Sequence, residues 1–397
     1  MPSSSNRILS VDAFRGITIL VMIFVNELAG ISNIPAWMKH VAADADAMTF
    51  VDVVFPAFLF IVGMSIPFAM NRRLQKGDDF LQIQWHIIWR TFGLLILGVF
   101  MVNGEGGNLN EKATGMSRSL WLLLFYTCII LVWNVYAFKR SWWKYVFQLA
   151  GFIGLVILGL IYRGGEEGTE YLTPRWWGIL GLIGWAYLYA CILYQVSDAK
   201  KGYLIGCLIY CILFYMAGKT SYVAERPYLF WIKSQSGNAI HTAIVLCGII
   251  LSLIFFDKRS QFNIKSSYIQ ASIFTVLLFI TGYFLRPYYT ISKIYATPTW
   301  ALYSAGISCV VFCFLYWLID IKGIQKWANF FKPVATNPLL AYIMPGIIYA
   351  LSGVLHITIT PRSMQSGAAG IVWSLLFAVA TIFMVKGLNR LKIKLQL

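Results

Sequence analysis

Apolar residues along this chain gather into twelve long runs, each closed by a polar segment. The runs fall near residues 11–29, 52–70, 86–102, 119–137, 144–162, 176–194, 203–217, 238–256, 267–285, 300–319, 338–356 and 368–386. A helix needs about 20 apolar residues to cross the hydrocarbon core of a bilayer. The pattern therefore predicts an all-α polytopic membrane protein with eleven or twelve transmembrane helices. The run at 203–217 is short for a span. Pro345 removes a backbone donor inside the eleventh run and predicts a kink there. No internal repeat is visible, which counts mildly against a transporter built from two related halves. Residues 1–397 read as a single transmembrane domain.

Composition sharpens the class. Of 397 residues, 59% are hydrophobic and only 12% charged, with a mean hydropathy of +0.70. A soluble domain of this size has too little polar surface to cover that much apolar material. The net charge of +16 raises the question of nucleic acid, but the basic residues are scattered among loops rather than clustered. Membrane topology accounts for them instead. Counted over alternate loops, one side holds nineteen Lys and Arg residues, including Arg7, Arg72, Arg73, Lys139, Arg140, Lys258 and Arg259. The other side holds eleven, including Lys39, Arg286 and Lys293. The richer side belongs in the cytoplasm, which puts both termini inside and the loop after the first run outside. Seven cysteines all sit within apolar runs, so a disulfide framework is not expected. No cleavable signal peptide is evident either, since the first run is itself long enough to span.

The first helix–loop–helix, from Leu9 to Arg73, holds the unusual polar residues. Asp12 and Arg15 stand where the first run starts, and Asn26 near its end. Ionisable groups and carboxamides beside a hydrocarbon-length helix are costly and mark functional candidates; Asp12 and Arg15 can equally cap the helix and snorkel at the interface. His40 is the single histidine of the following loop. Of the others, His86 is placed at an interface, His356 at the outer end of the eleventh run, and His241 just inside the eighth. Asn238 and His241 form either a polar lining or a satisfied bundle pair. Trp176, Trp177, Tyr228 and Trp231 fit an aromatic belt better than a sugar platform.

The stretches SVDAFRG, IFVN, KH and DVVFPAFLFIVGMSI resemble the transmembrane acetyltransferases typified by heparan-α-glucosaminide N-acetyltransferase. The likeness continues at Trp89–Asn103, Ala301–Gly323 and Asn337–Tyr342, so it covers nearly the whole chain. Between about Lys139 and Ser236 it is matched only as generic membrane helices. The resemblance implies a bacterial inner-membrane enzyme of amino-sugar metabolism. Its donor would be cytoplasmic acetyl-CoA, its acceptor the amine of a terminal glucosamine-type sugar at the outer face. It also implies that His40 is the essential histidine and Asn26 the motif asparagine.

The chemistry suits those residues. Imidazole can take the proton of an attacking amine or carry the acyl group itself. Asn26 can donate to the oxyanion that forms on a thioester carbonyl. Asp52, at the start of the second run, either orients His40 or is a carboxylate favoured by the helix dipole. Asp44 and Asp46 are candidates to attract a cationic aminosugar, or are merely solvated. Arg15, Arg72, Arg73, Lys322 and Lys332 are candidates for the phosphates of coenzyme A, or are topology determinants. No Walker or Rossmann fingerprint is present, and no metal-ligand spacing, so no metal is expected. The rival readings are an amino-sugar transporter, an O-acetyltransferase of envelope polysaccharide and a non-catalytic assembly subunit. The partners expected are the sugar acceptor and membrane lipid, with no nucleic acid; a homodimer stays open.

The charge asymmetry yields a topology test. In a cysteine-free background, single cysteines at position 40 or near Gly165 should react with an impermeant thiol reagent added outside. Cysteines near Gln75 or Ser260 should stay unlabelled, and the opposite pattern would invert the assignment of donor and acceptor faces.

Overall fold

A computed structural model describes residues 8–136, 142–257 and 263–397. Arg7, Lys139, Arg140, Lys258 and Arg259 of the charge count lie outside the described residues. Among the described residues the regular elements are all helical. Twelve apolar helices match the twelve runs in order: α1 Leu9–Leu28, α2 Phe50–Gln75, α3 Phe80–Glu105, α4 Arg118–Trp133, α5 Trp142–Ile161 and α6 Gly178–Val196, then α7 Lys201–Gly218, α8 Phe230–Phe256, α9 Ile264–Leu285, α10 Pro298–Tyr316, α11 Pro338–Val354 and α12 Gly367–Arg390. Ten are long and apolar enough to cross a membrane, while α4 and α11 are shorter. The run at 203–217 is among the ten, because α7 gains residues at both ends. Helix α11 continues through Pro345 without interruption. A π-helical turn, Trp317–Ile321, extends α10.

The chain divides into two compact units. The first comprises Met1–Thr18, Pro35–Thr91 and Leu182–Asn329; the second comprises Ile19–Ile34, Phe92–Gly181 and Phe330–Leu397. In the first unit α8 is the central element, flanked by α2 and α7. Residues Ile240–Leu253 of α8 are buried without a break. A helix apolar all round has no solvent face to offer, and burial among other helices is the stable outcome. In the second unit α4 packs on both α5 and α11.

Contacts within each unit respect the alternation of sides. In the first unit, Gln84 Nε2 donates to Gln195 Oε1 (2.7 Å) and Lys201 Nζ to Gln270 Oε1 (3.0 Å), joining helix ends assigned to one face. In the second, the Lys394 N–H donates to Asn134 Oδ1 (2.8 Å) on that face. The Asn110 amide donates to the carbonyls of Gly165 and Glu166 on the other.

Close packing in the first unit rests on two glycines. A Cβ placed on Gly63 of α2 would stand 2.0 Å from the Val245 carbonyl oxygen of α8. One placed on Gly248 of α8 would stand 2.0 Å from the Phe60 carbonyl oxygen of α2. Membrane helices gain little from apolar transfer between themselves, so backbone approach of this kind carries much of their association. Gly63→Ala and Gly248→Ala should each force the helices apart at a cost of roughly 1–3 kcal/mol. Melting in detergent would read this as a lower Tm, with a control substitution at the open Gly206 leaving the Tm near its starting value.

Candidate active site

The site begins at the first turn of α2. Thr49 is the N-cap, and Asp52 stands three residues on, where its side chain can reach back to the cap. Asp52 Oδ2 accepts from the Thr49 N–H (3.1 Å) and, more weakly, from the Val41 N–H (3.4 Å). Thr49 Oγ1 donates to the Lys39 carbonyl (2.9 Å), which draws the loop residue before His40 onto the helix end. The other carboxylate oxygen is thereby free for the loop. Asp52 Oδ1 lies 2.7 Å from Nδ1 of His40.

The pair is asymmetric in exposure: the His40 side chain is 46% accessible and that of Asp52 only 4%. A buried carboxylate on Nδ1 holds the proton on that nitrogen, which leaves Nε2 with the lone pair of a base or nucleophile. Lys293, from the segment between α9 and α10, brings Nζ to 3.3 Å from Nδ1 and 3.5 Å from Nε2. Burial pushes the Lys293 ammonium below its ordinary range, and the charge of Asp52 pulls it partly back. Beneath the turn, Trp300 Nε1 donates to the Asp52 carbonyl (3.1 Å). Phe55 stacks near Trp300 at 6.5 Å between ring centroids. His241 meets both rings edge-on, at 5.4 Å from Phe55 and 6.1 Å from Trp300, and its Nδ1 is buried without a hydrogen-bond partner.

Other candidates take separate places. Asp46 accepts from Arg286 Nε (3.2 Å) and from the Ile291 N–H (2.8 Å), so both its oxygens are engaged in tying the two loops together. Asp44 accepts from the Tyr295 hydroxyl, and that hydrogen bond, with the carboxylate charge behind it, raises the Tyr295 phenol above the ordinary range. Asn238 is buried and donates to Gln235 Oε1 (2.8 Å). Arg15 is half-buried between Asp12 (3.2 Å) and the Ser65 hydroxyl (2.7 Å). Arg73 pairs with Asp78 (2.7 Å), Arg72 is exposed, and Lys322 lies over the Trp317 ring at 5.5 Å. Asn26 and Lys332 belong to the second unit, where both are exposed.

Structure thus brings His40 and Asp52 together and adds three residues that sequence reasoning passed over: Thr49, Lys293 and Trp300. Thr49 was legible as a cap, three residues before an acidic side chain. Lys293 was readable only as a charge on the same side as His40.

The family profile described as Domain of unknown function (DUF5009) matches residues 7–235, which include His40 and Asp52. The chain is also similar to heparan-alpha-glucosaminide N-acetyltransferase of Mus musculus, with 41% identity over 102 residues. The Homo sapiens protein of the same name is 41% identical over 98 residues. These alignments cover 25% and 24% of this chain, and 15% and 14% of the two relatives. The matched segment therefore spans about one seventh of the length of either relative.

Proposed function

We propose, from the premise that this chain belongs to the DUF5009 family, that it is an integral-membrane acetyltransferase acting on the amine of a glucosamine-type sugar. The donor is acetyl-CoA, presented from the cytoplasmic face of a bacterial inner membrane, and the acceptor approaches from the opposite face. The observation that carries this reading is the half-exposed His40 imidazole held on the buried Asp52 carboxylate. Similarity to the two named N-acetyltransferases supports the reaction class.

In this reading the sugar ammonium first releases one proton to solvent, and His40 Nε2 takes a second from the amine as its nitrogen attacks the thioester carbonyl. The C–N bond forms, the C–S bond breaks, and the thiolate leaves as the thiol after taking the proton. Asp52 keeps the imidazole turned and stabilises the imidazolium that forms in passing. Direct transfer needs no covalent enzyme intermediate, since a positioned base serves the single displacement. Of the donor candidates named from the sequence, Arg15, Arg72, Arg73 and Lys322 belong to the first unit. Charge-assisted contacts to the phosphates suit guanidinium groups in particular. The family resemblance also implies a role for Asn26, which Asn26→Ala tests separately.

Purified protein given labelled acetyl-CoA and a panel of amino sugars should form N-acetylated sugar. Accumulation of unmodified sugar in vesicles would instead identify a transporter, and an O-linked acetyl product an envelope O-acetyltransferase. His40→Ala should fold and bind donor while its turnover falls by roughly 10²–10⁴-fold. Asp52→Asn should lose a similar amount, because an amide no longer dictates the tautomer. A folded His40→Ala protein with wild-type turnover would sink the mechanism.

Donor affinity gives a separate check. Arg72→Ala or Arg73→Ala should weaken coenzyme A binding by about one to two decades, the scale of a lost charge-assisted contact. Calorimetric titration with coenzyme A reads this directly, and unchanged affinity in both variants would remove the two arginines from the donor site.

A further inference from the structure

The proposed chemistry gives Lys293 no task, yet its amine lies closer to the imidazole than any other cation described. Asp52 engages Nδ1 at 2.7 Å, and Lys293 Nζ stands 3.3 Å from Nδ1 and 3.5 Å from Nε2, nearly equidistant and so against the imidazole ring. That imidazole is the base in the reaction proposed above, and a primary amine against it reaches Nε2 with a small turn of its flexible side chain. We propose that Lys293 is an internal acceptor, and that the protein acetylates its own Lys293 when an acetyl thioester is present and no amino sugar is bound. This inference rests on the transferase reading.

Three features besides proximity favour it. The segment that carries Lys293 is fixed: the Ile291 N–H is held by Asp46, and the Ser292 N–H donates to Thr297 Oγ1 (3.0 Å). An amine presented on a fixed segment reacts as if at high concentration, since its orientation is set in advance. Burial also favours the neutral, nucleophilic form of this lysine. Its attack should therefore gain speed at a pH below that needed by an exposed lysine. Finally, His40 stays half-exposed beside it, so the imidazole and the amine share one accessible place.

The step balances without another reactant. The ammonium passes a proton to Nε2, and the freed lone pair attacks the thioester carbonyl. A C–N bond forms at Nζ, the C–S bond breaks, and the leaving thiolate takes up a proton. Net, the lysine ammonium and the acetyl thioester become acetyl-lysine, free thiol and one proton released to solvent. The amide product cannot hand its acetyl group on, so it accumulates. It also removes the positive charge next to Asp52 and His40.

Peptide mass spectrometry of the intact chain tests the proposal. The protein, in detergent or nanodiscs, is incubated with acetyl-CoA alone, or with acetyl-CoA and saturating glucosamine, then treated with hydroxylamine. Hydroxylamine strips acetyl-imidazole but spares acetyl-lysine, so any label left on the loop peptides is an amide. Lys293 should gain one acetyl group without sugar, at least about 10²-fold faster than exposed Lys39. Glucosamine should suppress the modification, and His40→Ala should slow it by roughly 10²-fold or more. Should the wild-type protein acetylate glucosamine while Lys293 stays unmodified through long exposure to donor alone, the inference fails and the transferase reading stands. Acetylation of Lys293 no faster than Lys39, or unaffected by His40→Ala, overturns it as ordinary chemical acetylation. Absence of both acetylated sugar and acetylated Lys293 overturns the transferase reading, and the inference with it.

Discussion

The Asp52 carboxylate is buried at the first turn of α2, where both oxygens must find partners inside the protein. One oxygen closes the helix end through the Thr49 N–H, and the other takes the His40 imidazole. Helix capping and presentation of the histidine are therefore one interaction. The charge that would be costly alone is offset by a cap, an imidazole N–H and the nearby Lys293 ammonium. Its backbone carbonyl is in turn held by the Trp300 indole, so the turn is braced from the helical side as well. Neutralising this single carboxylate would loosen the loop, the helix end and the histidine together.

Chemistry at this turn follows from the difference in exposure along it. The carboxylate is shielded from water, where its attraction for the imidazole is screened least. The imidazole itself stays half-exposed. For the proposed reaction this means a base prepared in advance, since neither its tautomer nor its orientation has to be found during turnover. Loop-to-loop ties through Asp46 with Arg286 and Asp44 with Tyr295 serve the same end. They hold the segment around His40 against the segment that carries Lys293.

The twelve helices were legible because hydrocarbon thickness imposes a run length that few other constraints imitate. Boundaries were less so: α4 ends at Trp133, short of the apolar run, and α10 runs on into a π-helical turn. Asp52 offered two readings in the sequence, orienting group or helix-end carboxylate, and the structure gives each reading one oxygen. Asp46 read as a candidate for a cationic sugar or as solvated, whereas it forms an ion pair with Arg286. Partners 240 or more positions apart, as for Asp46 with Arg286 and His40 with Lys293, leave no trace in local periodicity. Asn238 and His241 showed their burial in the apolar run around them, but not the aromatic rings that enclose His241.

The contact of Gly63 with Val245 and of Gly248 with Phe60 has a mechanical meaning. Two backbones that touch at matched points act as a notch: α2 can tilt against α8 about that contact, but sliding along it drives carbonyl oxygens into Cα atoms. The axial position of α2, and with it the height of Asp52 at its end, is therefore set by geometry rather than by side-chain fit. Any rearrangement is left to the loops above the notch, which are joined by ion pairs and hydrogen bonds that can break and re-form. Natural variation should reflect the same division, with the two glycines tolerating nothing larger while the loop partners change in compensating pairs.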